Sequence, residues 1–272
     1  MPSEVPGSPA DVSSRMTGSD QGSRPLLSIV TVTRNCEATL ERTLASVRRI
    51  KTPAIQYIVI DGASTDSTPA ILARYDDIVD ILVSERDSGI YNAMNKGAAL
   101  ASGDYTLFLN GDDHLLPEGF SQAVALLGRR RPELLSCRSG AVSETGEPLG
   151  LLELSAWRLF FFNTVPHLST FVRSDLQKKY RFREQFKIAA DYDLFLRLFL
   201  RRHRFSTSEL ITATHYRGGF SGNVSLTIQE CRQIRRENLG WMLYTLTRAL
   251  EVGNEILNSV LRRGRHTGSS SS

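Results

Sequence analysis

The stretch Asp80–Asp113, DILVSERDSGIYNAMNKGAALASGDYTLFLNGDD, carries one full repeat of an architecture. DILVSE reads as a strand, GIYNAMNKGAALAS as a helix and DYTLFLN as a second strand. That last strand leaves its apolar run on Asn110-Gly111-Asp112-Asp113. Two adjacent carboxylates at the exit of a buried strand ask for a reason.

The same alternation precedes it. Leu26–Thr33, LLSIVTVT, is a β-branched run bounded by Pro25 and Asn35, and EATLERTLASVRRI follows with apolar residues at 40, 44, 47 and 50, a helical period. IQYIVIDG is another strand, and STDSTPAILARYDD opens a helix with good N-cap residues. Near-continuous apolar strands alternating with helices predict an α/β fold, a Rossmann-like, mostly parallel central sheet covered on both faces. Ligands of such sheets bind outside the carboxyl ends of the strands. Those ends here carry Thr33-Arg34-Asn35, Asp61-Gly62, Glu85-Arg86-Asp87 and Asn110 to Asp113, all polar and three of them acidic.

After Pro117 the pattern loosens. PEGFSQAVALLGRR reads as a helix, ELLSCRSGAVSETGEPLG as strands and turns, and SDLQKKY and ADYDLFLRLFLRRHR as helices. The expected division is a disordered leader over 1–25, an α/β half over 26–117 and a smaller second half over 118–228. A C-terminal helical segment over 229–266 and a disordered tail over 267–272 complete it.

The 272-residue chain is 41% hydrophobic and 23% charged, ordinary for a globular protein long enough to bury a sizeable core. A net charge of +4 and a pI near 9.1 are too mild to imply nucleic acid, and no basic stripe is interleaved with aromatics. The three cysteines, Cys36, Cys137 and Cys231, form no CxxC, which argues against a zinc site or disulfide framework and suits a cytoplasmic setting. No run of about 18 apolar residues exists to span a membrane. Leu151–Phe162, LLELSAWRLFFF, and the segment from Gln229 to Thr267, with seven Lys/Arg against four Asp/Glu, suit peripheral contact with one; packing on their own domain is the plainer use.

Adjacent aspartates repel, so both stay ionised only beside a cation or strong donors. Hard divalent cations such as Mg²⁺ or Mn²⁺ take one or two carboxylates plus substrate phosphates. The alternative is a solvated turn with an Asx hydrogen bond.

Taken together, SIVTVTRN with TLERTLASV, YIVIDGASTDST, SERDSGIYNAMNKGAALASGDYTLFLNGDD and AADYDLFLRL resemble the family-2 glycosyltransferases, which have the GT-A fold. The resemblance runs across roughly residues 27 to 200, more weakly to about 226, and is nearest to the subgroup that builds bacterial polysaccharides and glycolipids. It implies a nucleotide-sugar-binding first half and an acceptor-side second half. The implied reaction is an inverting transfer of a sugar from a nucleotide-diphospho-sugar to an acceptor hydroxyl of a glycan, glycolipid or natural product.

By that resemblance Thr33, Asn35 and Asp61 contact the nucleotide, and Arg86 and Asp87 belong to the nucleotide- and sugar-contacting loop. Asp113 ligates Mn²⁺ or Mg²⁺, while Asp112 contacts the ribose or donor sugar and adjoins the metal. Asn110 stands where an aspartate can stand, an amide being the weaker ligand. Asp191 is the catalytic base, with Ala190 in place of the usual Glu. Asp193 lies about 200° away on the helix and pairs with a neighbour such as Arg197. In THYRGGFSGN, Arg217 suits the diphosphate and His215 the metal; His167 suits the sugars or a structural role. A nucleotidyltransferase would need a glycine-rich loop after the first strand, and a Rossmann dehydrogenase a GxGxxG; neither is present. The reading from a different class is a non-catalytic nucleotide-sugar binder or scaffold of a glycan-assembly complex, and retained candidates for base and metal argue against it.

Overall fold

A computed structural model describes residues 24–143, 145, 147–161, 163–216 and 224–250. The leader expected over 1–25 lies almost wholly outside these residues. Arg217, the last part of the C-terminal segment and the tail lie wholly outside.

The first half folds as its alternation predicts. β1 (Leu27–Thr33), α1 (Leu40–Arg48), β2 (Ile55–Asp61), α2 (Thr68–Ala73), β3 (Ile81–Ser84), α3 (Ile90–Leu100) and β4 (Tyr105–Asn110) follow in order. The four strands are parallel in the order β3-β2-β1-β4. Register aligns Thr33 with Asp61, Asp61 with Ser84 and Val32 with Asn110. Parallel pairing therefore delivers all four polar exits to one edge of the sheet.

Every residue of β1 is buried because both faces are covered. Leu27 and Ile29 pack with Leu40, Leu44 and Val47 of α1, while Val30 and Val32 pack with Ala93, Met94 and Ala98 of α3. Each such fully buried aliphatic contributes about 1.5–3 kcal/mol relative to exposure. The polar members of these strands are satisfied inside the sheet: Tyr57 Oη meets Thr31 Oγ1 at 3.0 Å and Ser28 donates to Gln56 at 2.6 Å.

The second half extends the same sheet. β5 (His114–Leu115), α4 (Pro117–Arg130), β6 (Leu134–Val142), β7 (Pro148–Leu152), β8 (Thr170–Arg173), α5 (Ser174–Tyr180), α6 (Ala190–Leu200), β9 (Phe205–Tyr216) and α7 (Val224–Asn238) follow, with short 3-10 helices at Ala156–Phe160 and His167–Ser169 and further helix over 241–250. The sheet runs β3-β2-β1-β4-β8-β6-β9-β5, with β7 on β6. Here antiparallel pairs outnumber the one parallel pair, β6 with β9, so the parallel character expected of the sheet belongs to its first half. The helix expected to run through Arg204 ends at Leu200, because Arg202 turns left-handed at φ 61° and sends the chain into β9. Within the described residues, no helix is long and apolar enough to cross a membrane.

Candidate active site

The strand exits open onto a cavity of about 1,580 Å³. Thr33, Asn35, Asp87 and Asp112 line it from the sheet edge, His215 from the end of β9, and Asp191 and His167 from the second half. Residues as far apart in the chain as Thr33 and His215 thus share one space.

Each exit is built for close approach. Asn35 takes the left-handed conformation, φ 50°, donating its N–H to Ser64 Oγ at 2.8 Å and accepting from Thr65 N–H at 2.9 Å. Thr33 Oγ1 is buried and lacks a hydrogen-bond partner among the described residues. A Cβ on Gly111 would sit 3.0 Å from that oxygen, so the glycine keeps the β1 and β4 exits together. Asp87 accepts from Gly89 N–H at 3.0 Å at the start of α3. A Cβ on Gly62 would lie 2.4 Å from Asp87 Oδ2, so the β2 exit presses on Asp87 as well.

Asp61 and Arg86 stand apart from this lining. Asp61 is fully buried; Ser64 donates to it through both N–H and hydroxyl, and Ser84 Oγ donates at 2.6 Å. It closes the turn after β2, and a ligand would reach it by displacing the Ser64 hydroxyl. The Arg86 side chain is exposed, and its carbonyl accepts from Lys96 at 3.1 Å.

The double aspartate divides its labour. Asp112 is half-buried on the cavity, and burial, then the adjacent Asp113 charge, pushes its carboxyl above the usual carboxylate range. Asp113 is fully buried. Its Oδ1 lies 3.0 Å from His215 Nδ1, while its Oδ2 has no hydrogen-bond partner among the described residues. Thr43 Oγ1 donates to the Asp113 carbonyl at 2.6 Å, and Arg42, stacked 3.6 Å over Tyr216, donates to the Asp112 carbonyl at 3.1 Å.

Buried polar atoms are nearly always paired, so an orphan carboxylate oxygen is the kind of group a cation satisfies. Among the described residues no three His, Cys, Asp or Glu side chains converge as a closed metal cage. The donors present fit a hard divalent cation that takes its remaining ligands from phosphates and water.

Asp191 begins α6 and faces the cavity, 9% exposed. Oδ1 accepts from Tyr192 N–H at 2.8 Å and Tyr91 Oη at 3.3 Å; Oδ2 accepts from Asn163 Nδ2 at 2.9 Å and lies 3.7 Å from His167 Nδ1. Burial, then the Asp191 charge, pushes the Tyr91 hydroxyl well up, so Tyr91 stays a donor. His167 Nε2 faces the Asn110 amide at 3.2 Å. Asp193 points the other way, fully buried against Arg197 Nε at 2.8 Å, Arg183 Nε at 2.8 Å and Asn238 at 3.1 Å. The helical offset predicted from sequence, including the Arg197 pairing, is what the structure contains.

Sequence reasoning missed Tyr91, Asn163 and Arg42. Tyr91 lies in a helix whose apolar pattern hides it among core residues, and Asn163 sits in a loop with no spacing signal. Arg42 is visible only as one of several surface charges on α1.

The Glycosyl transferase family 2 model matches residues 28–203. An uncharacterized glycosyltransferase of Mycobacterium tuberculosis (strain ATCC 25618 / H37Rv) is 35% identical over 181 residues, 64% of this chain and 69% of that protein. The S. aureus TarS 1–349 structure in complex with UDP-GlcNAc aligns with a TM-score of 0.63 at 19% identity, over 76% of this chain and 64% of that one. The mannosyltransferase PcManGT of Pyrobaculum calidifontis, in complex with GDP-Man and Mn²⁺, aligns at 0.55 and 18% identity, over 85% and 65%. This chain therefore spans just under two thirds of each structural neighbour, and the neighbours share its GT-A fold. On the family match over most of its described length, the chain belongs to glycosyl transferase family 2.

Proposed function

We propose that the protein transfers a sugar, with inversion at the anomeric carbon, from a nucleotide-diphospho-sugar to an acceptor hydroxyl. One observation carries the reading: a single cavity brings the exits of β1, β3 and β4 against Asp191, and three exit oxygens, on Thr33, Asn110 and Asp113, lie buried without hydrogen-bond partners among the described residues. The family membership and nucleotide-sugar-bound neighbours support it.

In this reading Thr33 and Asn35 hold the nucleotide, and Asp87 and Asp112 contact ribose and donor sugar. Asp61 reaches the base or ribose once Ser64 yields, and Arg86 swings in from the same rim. Arg217 belongs to the diphosphate but lies outside the described residues. Asp113 and Asp112 would hold Mn²⁺ or Mg²⁺, with His215 orienting Asp113 through Nδ1. When bound, the ion supplies Lewis-acid neutralisation of the charge on the departing diphosphate.

Asp191 takes the acceptor's proton as the acceptor oxygen attacks the anomeric carbon. The sugar–phosphate bond breaks and its electron pair leaves with the nucleoside diphosphate. Tyr91 and Asn163 hold the carboxylate in place, so attack and proton transfer share one geometry. The acceptor enters beside β7, whose Leu149, Leu151 and Leu152 are exposed, as is Trp157 in the segment that follows, at 67% exposure. Leu151, Leu152 and Arg158 also line the cavity, which suits a glycan, glycolipid or natural-product acceptor.

Calorimetric titration with UDP, GDP and dTDP, each with and without Mn²⁺, tests the donor half. Tight, metal-dependent binding of one of them is expected. Binding of none in either condition would overturn the reading in favour of a non-catalytic scaffold.

A further inference from the structure

Asp191 is held from both sides, and one side comes from a helix far along the chain. Glu230, on α7, is 6% exposed. Its Oε1 accepts from Lys187 N–H at 2.6 Å, and its Oε2 accepts from Ile188 and Ala189 N–H at 2.9 Å each. Three consecutive backbone donors converge on one carboxylate. Ala189 is the N-cap of α6 and has no side chain able to cap; the anion from α7 instead fixes the three amides that lead into the helix, at its positive end. The opposite side of the same peptide is fixed by Tyr91, whose single O–H donates to the Ile188 carbonyl at 2.5 Å and is shared more weakly with Asp191 Oδ1 at 3.3 Å.

We infer that Glu230 is a positioning residue for Asp191: it sets the backbone of 187–189, and thereby where the base carboxylate stands in the cavity. The inference rests on Asp191 as the base. Hydrogen bonds to a carboxylate are about twice as strong as neutral ones, and three of them leave the loop little freedom. α7 reaches the cavity in its own right through Thr227, about one helical turn before Glu230, and through Cys231, the residue that follows it. It is also tied to α6 through Asn238 to Asp193, and to the loop before α6 through Glu237, which accepts from Arg183 at 2.8 Å. Removing Glu230 therefore frees the loop while α7 stays docked.

Two readouts on Glu230→Ala separate this inference from the reading beneath it. Amide hydrogen exchange needs no substrate: exchange over 187–193 should rise about tenfold or more while protection in β1 and β4 stays unchanged. Unchanged protection over 187–193, or a rise shared by the whole protein, overturns the inference. The second readout is Mn²⁺-dependent release of UDP from UDP-GlcNAc or GDP from GDP-mannose, with water standing in for the acceptor. Here kcat should fall about 10- to 100-fold with KM within about twofold, the cost of a base displaced by an ångström. In an Asp191→Asn background the same substitution should change nothing further. An equal loss in both backgrounds overturns the positioning role. No loss from Asp191→Asn alone overturns the base assignment and with it this inference, whatever the exchange shows. Glu230→Gln covers an alanine variant that does not fold; retaining one acceptor oxygen, it should show the same pattern at smaller amplitude. If neither sugar nucleotide is cleaved by the unmodified protein, the exchange result decides alone.

Discussion

Asp113 and Asp193 are equally buried, at 0% exposure, and they are opposites. Asp193 meets two guanidinium groups and an amide, so its charge is compensated within the fold. Asp113 meets one histidine nitrogen and, among the described residues, keeps an oxygen without a partner. A buried carboxylate with a full set of donors holds a structure together; one left short is arranged for something that arrives later. Their neighbours complete the contrast, since Asp112 and Asp191 both face the cavity. Each acidic pair divides into one residue turned inward and one turned toward the ligand space.

The comparison can be broken most sharply at Asp191. Asp191→Asn should lower transfer about 10²- to 10⁴-fold, the range for loss of a general base, with nucleoside diphosphate affinity by calorimetry unchanged. Equal loss of binding would remove Asp191 from the chemistry. Next is Asp193→Ala, expected to cost about 3–5 kcal/mol in urea unfolding, because Arg183 and Arg197 would lose their shared carboxylate. Arg197 is itself mostly buried, so a near-neutral result would mean that α6 is held by packing alone.

Asp113→Ala should leave metal-free stability almost unchanged, while abolishing the rise in melting temperature and in nucleotide affinity produced by Mn²⁺. A retained Mn²⁺ response would end the distinction between the two buried aspartates. The smallest effect belongs to Asp112. Its folded-state carboxyl is raised by burial and by Asp113, so in metal-free protein the native state binds the extra proton and stability falls as pH rises through that window. Asp112→Asn should therefore melt slightly higher than the unmodified protein at neutral pH with EDTA present. That advantage should vanish on acidification toward the ordinary carboxylate range. A constant offset at all pH values would assign it to packing instead.

The first half was legible because its signals are local. Leu40, Leu44 and Val47 announce α1 by their spacing, Ile50 continues the pattern into the turn after it, and all four are buried. The polar residue closing each apolar run marks a strand exit, and parallel pairing then makes neighbours of Thr33, Asp87 and Asp112 without further information. The second half was less legible because its partners are distant. β9 alternates weakly, with half-buried and exposed residues along most of its length, and becomes a strand by pairing with β6. The Asp61 side chain shows the limit of motif reading at its smallest scale. Its position at the end of β2 follows from sequence, but its occupation by Ser64 and Ser84 does not.

The sequence by itself determined the α/β alternation, the acidic strand exits and the opposite faces of Asp191 and Asp193, since each depends on periodicity within one element. Only the tertiary structure decided which carboxylates are satisfied and which are left short. That depends on donors contributed by remote segments: His215 for Asp113, Asn163 and Tyr91 for Asp191, Arg183 and Asn238 for Asp193, and three backbone amides for Glu230. Hydrogen-bond satisfaction is a property of the packed chain, because donors act over about 3 Å and recognise no distance along the sequence.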